Sequence, residues 1–409
     1  MYTFDSNNNH LFIGVHGNSE IVTRLNELGC NVSTGYNVQK KFMEGLEELG
    51  IYADTITGHV SPPFLKGEMI IDYCCPNRNE NVTDIYVSFL NIPLLDKVIK
   101  GIKISKAAKK WAKNKEKAYI FVYSLSSAYL MGAVAAKRKN PNCKIISIVP
   151  DLPEFMSNST SKIYRFLKKI DRHHIEKKLE SADAFVLFAE PMKERLPVYN
   201  KPYKVVEGII KNLDEKEYFE KVNRKIADHK KIIMLSGNLD CEEGIPALLE
   251  AFSQIKDQEY QLWLTGTGNS VELIEKSAKQ DSRIKYYGYI DSYEDFLALQ
   301  QQAFVFVVMV PPQNEKSAYY FPSKLMEYMV TGGIVACHKL RCIPKEYDDY
   351  LEYFPDDVEG ISQKLIELCE LDEQEFQKRA LARFRFMQTK MPGRQMEKLI
   401  ELLNKLDNG

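Results

Sequence analysis

The 409-residue chain has 8 cysteines but no Cys-x-x-Cys pair, and no histidine stands at zinc-site spacing from them. That excludes zinc ribbons and dithiol redox motifs. No Asp-x-Asp occurs, so the usual paired-aspartate signature of a metal-bound diphosphate is missing, and the expectation is a site without metal. Charge of one sign is also missing: 55 Lys+Arg against 56 Asp+Glu give a net charge of −1, which excludes a general nucleic-acid binder. No apolar run reads as a membrane span. The uncharged stretch Tyr119–Ala136 is interrupted by Ser124, Ser126, Ser127 and Gly132, and it divides into a strand, a serine turn and a helix entering Lys137-Arg138-Lys139. Met1–Asn9 is polar and lacks basic residues, unlike a secretory leader. Cys143 and Cys337 sit in apolar runs, so the thiols read as reduced and packed, which implies a cytoplasmic location.

What is present is ordinary globular material: 44% hydrophobic, 27% charged and 11% aromatic residues exclude disorder and a disulfide scaffold. A single core stops growing at roughly 250–300 residues, so this length predicts two domains. Residues 1–210 carry a net charge of +7 and residues 211–409 a net of −8, so the halves meet different partners.

Short apolar β-rich runs alternate with amphipathic stretches, which predicts parallel sheets covered by helices. In the first half Leu11–Val15, Tyr119–Tyr123, Lys144–Val149 and Ala184–Phe188 read as strands, with Val38–Leu49 and Thr160–Leu179 as helices. In the second half strands are expected at Lys231–Leu235, Gln261–Leu264, Ile284–Tyr287, Phe304–Val310 and Ile334–Cys337. Helices are expected at Ile245–Ile255, Val271–Lys279, Tyr293–Gln301 and Pro322–Thr331, the last closed by Gly332-Gly333. The domains are expected at 1–210 and 211–385, divided near the polar stretch Lys211–Lys230, with 386–409 a helix packing back toward the first. Ligands of such sheets bind beyond the carboxyl ends of the strands.

Three segments of the second half combine chemistry with position. Ser236-Gly237-Asn238-Leu239 and Gly266-Thr267-Gly268 follow strands, where glycine lets backbone N–H groups approach an anion. Phe321-Pro322-Ser323-Lys324-Leu325-Met326-Glu327 opens a helix, with Lys324 and Glu327 three residues apart on one face. A cation beside a carboxylate there suits a phosphate and a sugar diol.

Taken in order, Leu235–Leu239, Glu243-Gly244-Ile245, Leu262–Gly268, Tyr286–Ile290, Phe321–Met329 and Thr331-Gly332-Gly333 resemble the nucleotide-sugar domain of retaining glycosyltransferases of family 4. That likeness implies an α/β GT-B fold, two Rossmann-like doubly wound domains facing across a cleft. Asn37–Phe42 and Asp151–Met156 resemble the acceptor domain of bacterial polysaccharide members more loosely. The resemblance implies that Glu327 binds the donor ribose, Tyr289 lies at the base, Gly237 and Asn238 meet the diphosphate, and Phe321, Pro322 and Ser323 meet sugar and phosphate through their backbone. Lys324 is the phosphate cation on charge grounds. Asp151 and His16 fall on the acceptor side, Asp151 as a catalytic candidate alongside Lys324. Three residues depart from the family: Tyr319 replaces the first glutamate of its motif, and Asn238 and Glu243 replace its usual arginine and lysine.

The expected activity is hexosyl transfer with retention from a nucleotide diphosphate sugar, UDP by default, to a glycan or glycolipid hydroxyl, with no other cofactor. An inert GT-B glycan-binding or partner subunit, motivated by the three departures, and a sugar-nucleotide epimerase remain open beside it. From Lys97 to Lys117 nine lysines face one acid, Glu116, which suggests peripheral contact with an anionic membrane on its inner face. Tyr164–Lys178 is a second basic helix, and His173-His174 on it reads as an exposed pair without metal.

Overall fold

The computed structural model describes residues 9–408 except 31, 64–67, 94, 156–161 and 199, and of the side chains of 162–168 nothing is said. Met1–Asn8, Met156, the Thr160 helix start and the side chains of Tyr164, Arg165 and Lys168 therefore lie outside the described residues. The chain forms two compact units, Met1–Lys211 with Pro392–Gly409, and Asn212–Met391.

The first unit is built on β1 (His10–Gly14), β2 (Asp54–Thr57), β3 (Ile70–Ile71), β4 (Asp84–Tyr86), β5 (Phe89–Leu90), β6 (Ala118–Tyr123), β7 (Cys143–Val149), β8 (Ala184–Leu187) and β9 (Tyr203–Val205). Seven of these make one parallel sheet in the order β4-β2-β1-β6-β7-β8-β9, while β3 and β5 pair separately as an antiparallel ribbon. Sheets of this kind are covered on both faces, which is why β6 is apolar and buried throughout. The helices are α1 (Ser19–Glu27), α2 (Ser33–Glu48), α3 (Leu95–Ala112), α4 (Ser127–Lys139) and α5 (Lys162–Leu179). The uncharged stretch at 119–136 is β6 followed by α4, and among the described residues no helix is long and apolar enough to cross a membrane.

The second unit contains α6 (Glu215–Asp228), β10 (Ile232–Asn238), α7 (Ile245–Gln254), β11 (Gln261–Thr267), α8 (Val271–Gln280), β12 (Ile284–Tyr286), α9 (Tyr293–Gln302), β13 (Val305–Val308), α10 (Lys324–Met329), β14 (Ile334–Cys337), β15 (Glu352–Tyr353), α11 (Val358–Cys369) and α12 (Glu373–Gln388). Its sheet is parallel in the order β12-β11-β10-β13-β14-β15. This is the doubly wound order of a mononucleotide-binding Rossmann sheet, and the first unit repeats it in its own sheet. Leu262, Leu264, Val305, Val307 and Ile334 form the core with Phe252 of α7 and Leu365 of α11.

The second unit begins at Asn212, where the sequence places the division, and the stretch that follows holds α6, capped by Asp214 onto Glu217 N–H, with Tyr218 and Val222 buried in the core; the charges around those two residues mask the period. Three expectations need correction. The chain returns to the first unit at Pro392 rather than near 386, because α12 continues through Gln388; α13 (Pro392–Asn408) then packs on α2, where a side chain on Gly45 would meet Pro392 O. The strand expected at 231–235 runs on to Asn238, paired Gly237 to Gly266 and Asn238 to Thr267, so these glycines lie in a ladder and not in open loops. The thiols are all unpaired, but only Cys143, Cys337, Cys342 and Cys369 are buried, whereas Cys74 and Cys241 are exposed.

Candidate functional site

In the second sheet the chain moves outward from β10 to β12, then crosses to β13 on the other side of β10. This reversal separates the helices that follow β10 and β13 and opens a crevice beyond the strand ends, where open α/β sheets bind ligands. α10 is fixed at that point by Tyr328. Its buried hydroxyl accepts the Ser236 N–H at 2.8 Å and reaches the Ser236 carbonyl at 3.2 Å, and its ring stacks on Phe306 at 4.7 Å.

Lys324 and Glu327 project from the first turn of α10. Lys324 Nζ donates to Glu327 Oε1 at 3.0 Å and Oε2 at 2.9 Å, and Gln300 Nε2 from α9 reaches Oε1 at 3.3 Å. Both members of the pair stay about one-third exposed, so a ligand can enter the pair from solvent. The Lys324 stem passes over Gly237, where a Cβ would lie 3.2 Å from Lys324 Cε. Glycine at 237 leaves room for that lysine.

The other glycines act differently from the expectation. The Gly266 N–H donates to the Gly288 carbonyl at 2.8 Å, and Thr265 Oγ1 donates to the same oxygen at 2.7 Å, so this amide is engaged within the protein. A Cβ on Gly266 would overlap the Gly237 carbonyl, and one on Gly268 would meet the Leu239 backbone. Gly266 and Gly268 thus allow β10 and its neighbour to close together. Tyr289 follows Gly288 and stands exposed.

Asn238 is exposed, with Nδ2 3.5 Å from Glu243 Oε1. The Glu243 carboxyl is raised above the ordinary glutamate range, first by burial and then by Asp240, while Asn238 and Lys316 pull it down. Lys316, like Gln300, is a residue that sequence reasoning missed. It stands in the one-turn helix Glu315–Ala318, close enough to act on Glu243, and its only sequence signal was a place three residues before Tyr319. Tyr319 is buried, with its N–H on the Lys316 carbonyl at 2.9 Å. Phe321 and Pro322 are buried, Phe321 against Tyr347 at 5.5 Å, and Ser323 is exposed. The helix begins at Lys324 and not at Pro322; the Pro322 carbonyl takes the Leu325 N–H instead.

In the first unit His16 follows β1 and Asp151 follows β7, with β6 between those strands. The Val15 N–H beside His16 is held by the buried Gln39 Oε1 at 2.7 Å. His16 Nε2 lies 3.9 Å from Asp84 Oδ2, and Asp84 is itself taken by Thr55 Oγ1 at 2.8 Å and the Arg78 N–H at 2.8 Å. Burial pushes His16 down to about 4 against the pull of Asp84, so it is neutral at pH 7. Burial raises the Asp151 carboxyl, and its charge raises the nearby Tyr123 hydroxyl further. His173 and His174 are exposed on α5, and among the described residues no group of three His, Cys, Asp or Glu is arranged to hold a metal.

His59 gives this unit an acid sensitivity. Its Nε2–H meets the Tyr73 carbonyl at 2.9 Å, so Nδ1 accepts the Tyr36 hydroxyl at 2.5 Å, and both nitrogens are satisfied only in the neutral ring. Burial lowers it to about 4. The folded value lies below the unfolded one, so the contribution is complete above the unfolded value near 6.5 and is lost as pH falls to 4. It amounts to about 3 kcal/mol. Denaturation between pH 7 and 4.5 should show this loss in the wild type and a shallower one in His59→Gln; equal slopes would contradict the assignment.

Residues 230–370 match the family model Glycosyl transferases group 1. The match covers the second unit from β10 to α11. A stretch of 109 residues is 28% identical to the protein named colanic acid biosynthesis glycosyl transferase WcaI of Escherichia coli K12, and it spans 26% of each chain, so this chain matches about a quarter of that relative's length. Among solved structures, Anabaena HepE in complex with UDP has a TM-score of 0.60 at 12% identity, covering 97% of this chain and 100% of that one. A UDP-forming α,α-trehalose-phosphate synthase from Burkholderia xenovorans with glucose-6-phosphate gives 0.60 at 12%, covering 96% and 100%. OtsA without ligand gives 0.60 at 10%, covering 96% and 99%. At such identities the likeness is one of fold: two Rossmann-like units of the GT-B type.

Proposed function

We propose that the chain is a retaining glycosyltransferase that moves a hexose from a nucleotide diphosphate sugar, by default a UDP-sugar, to a hydroxyl of a glycan or lipid-linked glycan. The observation that carries this reading is the Lys324–Glu327 pair, set by Tyr328 at the crossover of a Rossmann unit that matches the group 1 model. The UDP bound in HepE, and the UDP and glucose bound in a second HepE structure, support the donor class.

In this reading Glu327 accepts the ribose hydroxyls, with Gln300 keeping it oriented. Lys324 exchanges its carboxylate partner for the diphosphate, and Lys316 adds a second positive charge. Gly237, Asn238, Gly266 and Gly268 shape the floor, Tyr289 borders the base, and Tyr319 with the Phe321-Pro322-Ser323 backbone borders the sugar. During transfer the bond from C1 to the diphosphate oxygen breaks and its electron pair leaves with the diphosphate, the acceptor oxygen bonds to C1, and the hydroxyl proton passes to the departing diphosphate oxygen. Once Lys324 has turned from Glu327 to the diphosphate, the two lysine charges stabilise the charge that develops on that oxygen. Asp151 and His16 of the first unit are the acceptor-side candidates, Asp151 to orient the attacking hydroxyl and neutral His16 to offer a hydrogen bond without adding charge. Binding both substrates converts the reaction to an intramolecular one.

The test is UDP release from a panel of UDP-sugars with acceptor glycans, with the product anomer read by NMR. Retention is expected, and an inverted anomer would refute that part of the reading. Asp151→Asn should keep UDP affinity and lower transfer by about a hundredfold, the scale of a positioned polar group; loss of UDP binding would make Asp151 structural. A second reading, an inert glycan-binding or partner subunit, is favoured by the Glu243 carboxylate beside Asn238. Glycan binding without nucleotide binding would support it.

A further inference from the structure

The buried face of α6 ends on a cation. Tyr218, Val222 and Lys225 recur at helical spacing and all three are buried, so a lysine continues a row begun by core side chains. Taking an ammonium out of water is costly unless its hydrogens find acceptors. Lys225 Nζ finds three, the carbonyls of Gln300 at 2.9 Å, Gln301 at 3.1 Å and Ala303 at 2.5 Å. They close α9, at the end where a helix runs out of N–H partners and its dipole is negative. The cap comes from α6 and not from α9 itself, so it fixes one helix to the other. Arg224 adds an exposed contact, Nη1 to Gln301 Oε1 at 2.8 Å.

The capped end of α9 is also the part that touches the Lys324–Glu327 pair. Gln300 is buried, and while its carbonyl takes Lys225, its Nε2 donates to Glu327 Oε1 at 3.3 Å. Phe296 lies one turn earlier, with the Lys324 ammonium 5.4 Å from its ring centroid. α9 thus offers an amide to the carboxylate and a ring to the ammonium. The same lysine also underlies α10: its Nζ lies 5.2 Å from the centroid of the Phe306 ring, which stacks on Tyr328.

We propose, resting on the nucleotide-site reading above, that Lys225 is a positioning residue of that site: it holds the end of α9 so that Gln300 keeps Glu327 in the orientation that receives the ribose. Lys225 is buried and its ammonium is spent on backbone carbonyls, so it acts on the nucleotide only through α9. An apolar side chain would fill the same space in the row after Val222, but it would leave the carbonyls of α9 without their donor and the amide of Gln300 free to drift from the carboxylate.

The experiment is a double-mutant cycle on the full chain, read by calorimetric titration of UDP. Lys225→Met keeps the stem and removes the ammonium. It should weaken UDP binding by about fivefold, the worth of one hydrogen bond. Gln300→Leu alone should weaken it by a similar factor. Adding Lys225→Met to Gln300→Leu should then cost no more than about twofold further, because both changes act through one contact, whereas a general loosening of the unit would add in full. Arg224→Met removes the exposed contact on the same helix end and should leave UDP affinity within about twofold. If Lys225→Met does not fold, Lys225→Gln replaces it. That variant keeps an amide for the carbonyls, and it should cost about threefold, again lost in the Gln300→Leu background. UDP bound by the Lys225 variant as tightly as by the wild type, or a loss that persists in full beside Gln300→Leu, would overturn the proposal while leaving the nucleotide site standing. No UDP binding by the wild type would instead refute the nucleotide-site reading, and this role with it.

Discussion

Replacing Lys324 with methionine should lower kcat/KM for sugar transfer by about a hundred- to a thousandfold, the usual cost of losing one preorganised group at a developing anion. Methionine keeps the stem that crosses Gly237 and removes only the ammonium. Gln300 still reaches Glu327, so the ribose contact survives and the loss falls on kcat more than on UDP affinity. Lys316→Met should cost less, because the Lys316 charge is partly spent on the Glu243 carboxylate. Steady-state kinetics of the two variants checks this. If Lys324→Met retained activity within about threefold, Lys324 would be only the surface partner of Glu327, whose pairing is worth well under 1 kcal/mol.

Gly266→Ala should be the most damaging small substitution in the second unit. Its φ is +131°, and the new Cβ would overlap the carbonyl of Gly237, a backbone atom locked in the β10–β11 ladder that cannot retract. Strain and overlap together put the loss at about 4 kcal/mol or more. Gly29→Ala is the matched control. Its φ is +83° with nothing within 4 Å of the added carbon, so it should cost only about 1 kcal/mol. Thermal melting of both variants separates the outcomes; equal shifts would mean that the ends of β10 and β11 have slack.

The second unit was the more legible half because its strands are uninterrupted apolar runs ended by glycine, as β10 and β11 are. Lys324 and Glu327 were legible because an i,i+3 pair is a local fact. Gln300 was not, since it reaches Glu327 from 27 residues away through the packing of α9. The same holds for Asp84 and Arg78 around His16, which only the lateral pairing of β1, β2 and β4 brings together. α6 was hidden by its charged majority. The β3–β5 ribbon was hidden by strands of two residues, too short for any alternation to register. The basic stretch at 97–117 was visible as charge, but which of its apolar residues face outward was decided by packing: Ile104 and Trp111 turn inward and Val98 and Ile102 do not.

The central claim is that α10 holds a nucleotide diphosphate at the β10–β13 crossover. Calorimetric titration of UDP, GDP and ADP into the wild type and Glu327→Ala tests it most directly. The account predicts micromolar binding of UDP, weakened at least tenfold by Glu327→Ala as the ribose loses its charged acceptor. Binding of no nucleotide, or UDP binding indifferent to Glu327, would contradict it.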